Sequence, residues 1–400
     1  MKYFKSLKEL LKSKNIQYIL LCIVVVTIVF LRKIFFIKDI GLFYMLVIFV
    51  FSYFIQALLL LKKSYVFYIF RVIIIFLIGI QAVWIIQERN EKSKHINIEG
   101  SGHVSNYIPH TMIYNNDTLF NVLYVRDSCR RRISEIQTIS DINDIIGDKK
   151  HAIFLGCSFT MGYGLDYSST FPFMFEQLKP EYKSYNYGIG GYGPHHTALL
   201  FDDGIDVINK STIKEPHGFA LYTFIKDHLR RVYGSSSFLV TALPLIENKE
   251  KCILKKSFYI DVYVENDSLV VRKISLWHKI TVNVLNNVAL FRYLNITLPY
   301  PKTEKFYQRF ADIVNHMAKK YWEINPEGDF YIGIYPEKWE KDLAWTSYLN
   351  PKIKVLEPDI PPDYYERFDE YVIKPDVDWH PTKLSNIYYI NEIIRLISSP

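Results

Sequence analysis

The chain has 400 residues, 50% of them hydrophobic and 16% aromatic, with a formal net charge of +7; that is too long for one ordinary domain, and the apolar residues crowd the front. Residues 1–90 hold 12 Lys and Arg against 3 Asp and Glu, a net +9, whereas the remainder stands at −2. The basic character therefore belongs to the N-terminal segment, and the rest lacks the clustered basic face that a nucleic-acid partner requires, Arg130-Arg131-Arg132 reading as a solvated turn.

Residues 16–37, 40–61 and 65–87 form three blocks nearly free of charge, and roughly 20 apolar residues suffice to cross a bilayer. The first block is short unless it borrows Ile34 to Ile37 beyond Arg32 and Lys33. No small-residue cleavage site follows it, so residues 1–90 are expected to be a retained membrane anchor rather than a signal peptide. Lys2, Lys5, Lys8, Lys12 and Lys14 precede the first block, and Lys62 and Lys63 separate the second from the third. By the positive-inside rule both segments are cytoplasmic, which predicts a multi-pass protein of the cytoplasmic (inner) membrane with its C-terminal domain extracytoplasmic. Arg32, Lys33 and Lys38 run against that orientation, and a two-span or re-entrant arrangement is the alternative.

Residues 91–109 read as a juxtamembrane linker, and Thr111 to Val125 alternates around Asn115-Asn116-Asp117 as a β-hairpin does. Cys129 and Cys252 could form a disulfide in an oxidising compartment; Cys22 lies in a predicted span and Cys157 beside a serine. From residue 150 onward, apolar runs at 152–155, 185–189, 219–225, 330–335 and 353–356 read as strands. Helices are expected near 170–178, 195–208, 303–323, 337–348 and 382–397. Such βαβ alternation predicts a parallel sheet covered on both faces, with ligands bound beyond the carboxyl ends of its strands. After the third strand, Phe258 to Val264 and Leu269 to Ile274 flank Glu265-Asn266-Asp267-Ser268, a hairpin signal. With the helical stretch 278–295 it makes an insertion at about 245–300, either a substrate lid or a decoration away from the site.

Ser158 follows the first of these strands in Gly156-Cys157-Ser158-Phe159-Thr160, and Asp378-Trp379-His380-Pro381 precedes the last helix. A serine hydroxyl needs a base to take its proton, and the base needs an orienting acid. Ser158 is thus the expected nucleophile, His380 the base and Asp378 the acid, with Asp376 the alternative acid. The oxyanion needs donors, and the glycines of Asn186-Tyr187-Gly188-Ile189-Gly190-Gly191-Tyr192-Gly193 let backbone N–H groups approach closely. The Ser158 N–H is a further donor. No Gly-x-Ser-x-Gly elbow is present, which counts against an α/β-hydrolase.

These three blocks, in this order, resemble those of the SGNH/GDSL hydrolases over roughly residues 110–400. The resemblance implies a flavodoxin-like three-layer α/β/α sandwich, which the hydropathy pattern sets behind three N-terminal transmembrane helices. It also implies ester hydrolysis or acyl transfer with no metal or cofactor, Ser158 as nucleophile and oxyanion donor, Gly191 as the second-block donor and His380 as base. The chain departs from the pattern in three places. Cys157 stands where the family has aspartate; the acid usually three residues before the histidine falls on Val377; and the third-block asparagine is replaced by Asp227-His228. An ionised Asp227 cannot donate a hydrogen bond, so His228, or else Arg230 or Arg231, is the expected replacement, with a surface ion-pair cluster at a helix start as the rival reading. Location and resemblance together point to O-acyl esters of cell-envelope glycans as substrate and, for transfer, to a separate acyl-donor protein. The alternative is a glycan-binding or assembly protein that keeps the fold without turnover.

Overall fold

The computed structural model describes residues 95–99, 107–114, 117–125, 149–201, 208, 210, 213–232, 243–248, 253–257, 260–273, 275, 304–337, 342–375 and 378–398. Ser275 apart, they belong to a compact unit of residues 94–274 and 300–400. The three predicted spans, Cys129 and Cys252, Arg130-Arg131-Arg132, Asp376 and the helical stretch 278–295 lie outside the described residues. No described helix is long and apolar enough to cross a membrane.

β1 (His95–Glu99), β2 (Tyr107–Tyr114) and β3 (Asp117–Val125) form an antiparallel sheet in that order. The β2–β3 pair is the hairpin expected from the alternating pattern. β1 pairs with β2 inside the stretch read as a linker, which is therefore partly strand; five residues of alternation are too few to stand out from a polar segment. Met112, Phe120, Val122 and Tyr124 are buried together and pack on Met161.

The central sheet begins with β4 (Lys150–Gly156), which runs into the one-turn helix α1 (Ser158–Met161). It continues through α2 (Phe171–Leu178), β5 (Tyr182–Gly188), α3 (Pro194–Ala198), β6 (Gly218–Phe224) and α4 (Asp227–Val232). Two antiparallel pairs follow, β7 (Leu243–Asn248) with β8 (Ile253–Ser257) and β9 (Ile260–Glu265) with β10 (Ser268–Lys273). Then come α5 (Glu304–Ile324), β11 (Asp329–Ile334), β12 (Ile353–Leu356), α6 (Phe368–Tyr371), β13 (Val372–Lys374), β14 (Asp378–Pro381) and α7 (Lys383–Ser398).

The sheet order is β5-β4-β6-β11-β12 with every neighbouring pair parallel. This is the flavodoxin-like order, in which the chain starts near one edge, steps back once and then proceeds across. Successive side chains of β4 face opposite ways. Ala152 and Phe154 meet Phe171 and Phe175 of α2 and Ile390 and Ile393 of α7, while Ile153 and Leu155 meet the face covered by α5. Both faces are buried, hence the unbroken apolar runs rather than alternation. The result is the expected three-layer sandwich.

Two elements differ from expectation. The helix expected at 337–348 is described only as a 3-10 turn, Ala344–Tyr348. There the Thr346 hydroxyl and N–H both donate to the Leu343 carbonyl, and the Trp345 indole donates to that of Asp342, so local bonds compete with helical ones. Trp345 is fully buried against Phe224 and Phe310. Of the expected helix 195–208, the described residues form α3 and a 3-10 turn, Leu199–Phe201. The β9–β10 hairpin turns through Asn266 and Asp267, both at positive φ, as a two-residue primed turn demands. Arg309 of α5 donates to the Val262 carbonyl at 2.7 Å and Lys319 pairs with Asp267 at 3.1 Å, so this hairpin is fastened to α5.

Candidate active site

Ser158 is the first residue of α1, immediately past the carboxyl end of β4, and is buried. Its position is fixed by the neighbouring strand. Gly188 ends β5 so close to α1 that a Cβ there would lie 2.2 Å from the Met161 nitrogen. Asn186 completes the junction: its amide donates to the Thr160 carbonyl at 3.0 Å and its side-chain oxygen accepts the Gly188 N–H at 3.0 Å. The expected block pattern contained Asn186 but not this function, which depends on β5 lying beside β4.

His380 sits on β14, 222 residues further along the chain, with its Nε2 2.7 Å from Ser158 Oγ. Asp378 contacts its Nδ1 and also accepts the His380 backbone N–H at 3.0 Å. A neutral imidazole with its proton on Nδ1 satisfies both contacts and leaves Nε2 free to accept from the serine hydroxyl. The structure therefore brings Ser158, His380 and Asp378 into one chain of hydrogen bonds; Asp376 lies outside the described residues. The ring is held by aromatic neighbours, Tyr163 at 4.2 Å between centroids and Phe159 at 5.5 Å. Tyr163 packs edge-on against Phe120 of β3 at 5.4 Å, and the Tyr124 hydroxyl accepts the Gly164 N–H at 2.7 Å. The small antiparallel sheet thereby supports the residue that stacks on the histidine.

The second block forms a tight turn. The Ile189 N–H donates to the Gly156 carbonyl at 3.2 Å and the Tyr192 N–H to that of Ile189 at 3.0 Å. Gly191, at φ 81, occupies the left-handed position of this turn, where a side chain would be strained. Among the described residues, neither the Ser158 nor the buried Gly191 N–H meets a protein acceptor. Both groups have the chemistry of an oxyanion donor.

The third block is different, and the expectation for His228 is not met. His228 is fully buried, its Nδ1 2.7 Å from the Tyr222 hydroxyl and its ring beside Phe224. Burial, with the Arg231 charge added, holds its pKa well below the usual histidine value. Its Nε2 has no partner among the described residues, and its bonds go to Tyr222 and Ile225, not to the Ser158–His380 pair. Asp227 accepts from Arg231 at 2.7 Å and lies 3.9 Å from Arg230, which matches the ion-pair reading. Arg231 is itself buried and donates to the Tyr192 carbonyl at 2.8 Å, tying this helix to the Gly191 turn. That link was not legible because it joins a side chain and a backbone carbonyl from two separate crossovers.

Among the described residues no group of histidine, cysteine, aspartate and glutamate is arranged to hold a metal ion. No protein-family model and no curated protein matches the chain. Solved structures with some likeness include an acetyl xylan esterase from the rumen bacterium Butyrivibrio proteoclasticus, at 8% identity and a TM-score of 0.30 over 62% of this chain and 63% of that one. Another is a carbohydrate esterase family 2 enzyme with a carbohydrate-binding domain from Corynascus thermopiles (Myceliophthora fergusii), at 10% identity and a TM-score of 0.31 over 62% and 66%. The chain thus spans slightly less than two thirds of either. Likeness this distant says nothing about activity or substrate.

Proposed function

We propose that the chain is a serine ester hydrolase or O-acyltransferase that forms an acyl-enzyme on Ser158. The observation that carries this reading is the continuous Asp378–His380–Ser158 hydrogen-bonded chain at the carboxyl rim of a parallel sheet. His380 Nε2 takes the hydroxyl proton as Oγ bonds to the ester carbonyl carbon, and Asp378 stabilises the imidazolium. The carbonyl oxygen becomes an oxyanion facing the Ser158 and Gly191 N–H groups. His380 then returns the proton to the departing alcohol, leaving the acyl group on Ser158. Water or a second hydroxyl, deprotonated by the same imidazole, releases it.

The hydropathy and lysine distribution of residues 1–90 support a membrane-anchored protein with this unit outside the cytoplasmic membrane, and that location together with the family resemblance favours O-acyl groups of cell-envelope glycans as substrate. Transfer rather than hydrolysis would need a separate acyl donor. One observation favours the non-catalytic alternative: the third-block donor is missing, since Asp227 is engaged by Arg231. Hydrolysis of an aryl acetate by the purified full-length protein, compared with Ser158→Ala and His380→Ala, tests the reading. Activity lost in both variants is expected; equal activity in either would refute it.

A further inference from the structure

Next to the catalytic histidine is a cleft of about 310 Å³, open mouth included, whose lining includes Phe159, Tyr335, Tyr364, Tyr371, Trp379 and Glu337. Phe159 follows the nucleophile and Trp379 precedes the base, and the Phe159 ring lies between His380 and Tyr335, 5.5 and 5.0 Å from them. Neither Ser158 nor His380 lines the cleft; Phe159 and Trp379, which do, are their neighbours in the chain. Glu337 comes just after β11, at the carboxyl rim where parallel sheets hold their ligands. One of its oxygens accepts the Lys226 N–H at 2.8 Å. The other takes no protein partner among the described residues, and no described lysine, arginine or histidine lines the cleft.

A carboxylate that shares its cleft with five aromatic side chains, with one oxygen unused, is an environment that attracts a cation twice over. The ring quadrupoles present negative faces, and the carboxylate supplies a full charge. Neutral ligands would draw on the rings but leave the carboxylate in a poorly solvated place. We propose that this cleft binds a positively charged amine, an alkylammonium group carried by the ester that Ser158 attacks. That the amine belongs to an ester rests on the acyl-transfer reading above; occupancy of the cleft by an ammonium ion does not.

Without such a ligand, burial is the main cause that pushes the Glu337 pKa up to about 7; the nearby Asp227 also raises it, while the Lys226 N–H bond and the Lys226 and Arg231 charges lower it. A bound cation favours the ionised carboxylate, so affinity should rise with pH through about 7 and fall about tenfold per unit below it.

The test is calorimetric titration of the full-length protein in neutral detergent with tetramethylammonium chloride, at constant ionic strength, against sodium chloride. Saturable binding with that pH dependence is expected, and Glu337→Gln should weaken it at least about tenfold and remove the dependence. A slope that survives in Glu337→Gln would overturn the assignment. No saturable binding, or affinity independent of pH in the wild type, would do the same; the wild-type slope decides the matter even if the variant does not fold. Two ester pairs locate the amine: choline acetate against 3,3-dimethylbutyl acetate for the alcohol side, and alanyl against propanoyl esters of one alcohol for the acyl side. One pair should show a preference of about tenfold in kcat/KM. If tetramethylammonium binds but neither pair discriminates, the link to the ester is wrong. If it binds while Ser158 is inert, the acyl-transfer reading fails and the cation site stands.

Discussion

Ser158 and His380 arrive at their 2.7 Å contact from opposite kinds of structure. Ser158 is held in the interior, at a strand-to-helix junction locked by Asn186 and by the close approach of Gly188. His380 is borne on a four-residue strand that, among the described residues, pairs only with the three-residue β13, and its ring is steadied by Tyr163, Phe159 and Asp378 rather than by the sheet. Ser158 is placed by the fold, His380 by side chains. Damage on the serine side should therefore appear in stability and rate together, and damage on the histidine side in rate first.

The sharpest way to break that contrast is Asp378→Asn. Losing the orienting carboxylate should lower kcat by about 10⁴-fold while the melting temperature moves little, because β14 stays paired. A rate within tenfold of wild type would shift the role of acid to Asp376. On the other side, Asn186→Ala leaves the buried Gly188 N–H and Thr160 carbonyl without partners. It should cost about 2–4 kcal/mol in urea unfolding and reduce kcat as well; a stable, slow variant would put Asn186 in the chemistry instead. A smaller effect is expected for Tyr163→Leu, about tenfold in kcat with KM little changed and about 1 kcal/mol in stability. Unchanged kcat would show that the stacked ring does not orient His380.

The smallest expected effect on rate is at His228. With its bonds turned toward Tyr222, His228→Phe should leave kcat within about threefold, against the roughly hundredfold loss expected of an oxyanion donor. Its signature should appear in acid. His195, His196 and His228 are kept neutral chiefly by burial, His196 down to about 3 and the other two well below the ordinary value. An unfolded chain protonates them near 6.5, so unfolding takes up as many as three protons as pH falls below that. Stability should then drop by about 1.4 kcal/mol per pH unit for each histidine. Glu337 acts in the opposite sense, since the folded chain holds a proton up to about 7 that the unfolded one loses above 4.5. Between about pH 5 and 6.5 these four groups should leave a net slope of about two protons, and His228→Phe should remove one of them.

The strands of the central sheet were legible because strands buried on both faces read as unbroken apolar runs, as Ala152 to Leu155 does, whereas their flavodoxin-like order was implied only by the family resemblance. Ser158, His380 and Asp378 were legible because their residue types and spacing carry a chemical demand. Asn186, Tyr163, Arg231 and Glu337 were not, since each acts on an element distant in the chain. His228 misled for the converse reason: its type fits a donor, but its neighbours Tyr222 and Phe224 draw it into the core.

The central claim is that Ser158 is an activated nucleophile. Treating the folded full-length protein with a fluorophosphonate probe and mapping the adduct by mass spectrometry tests it most directly. The account predicts one adduct, on Ser158, formed much more slowly in His380→Ala; no adduct on folded wild type, or an adduct on another serine, would contradict it.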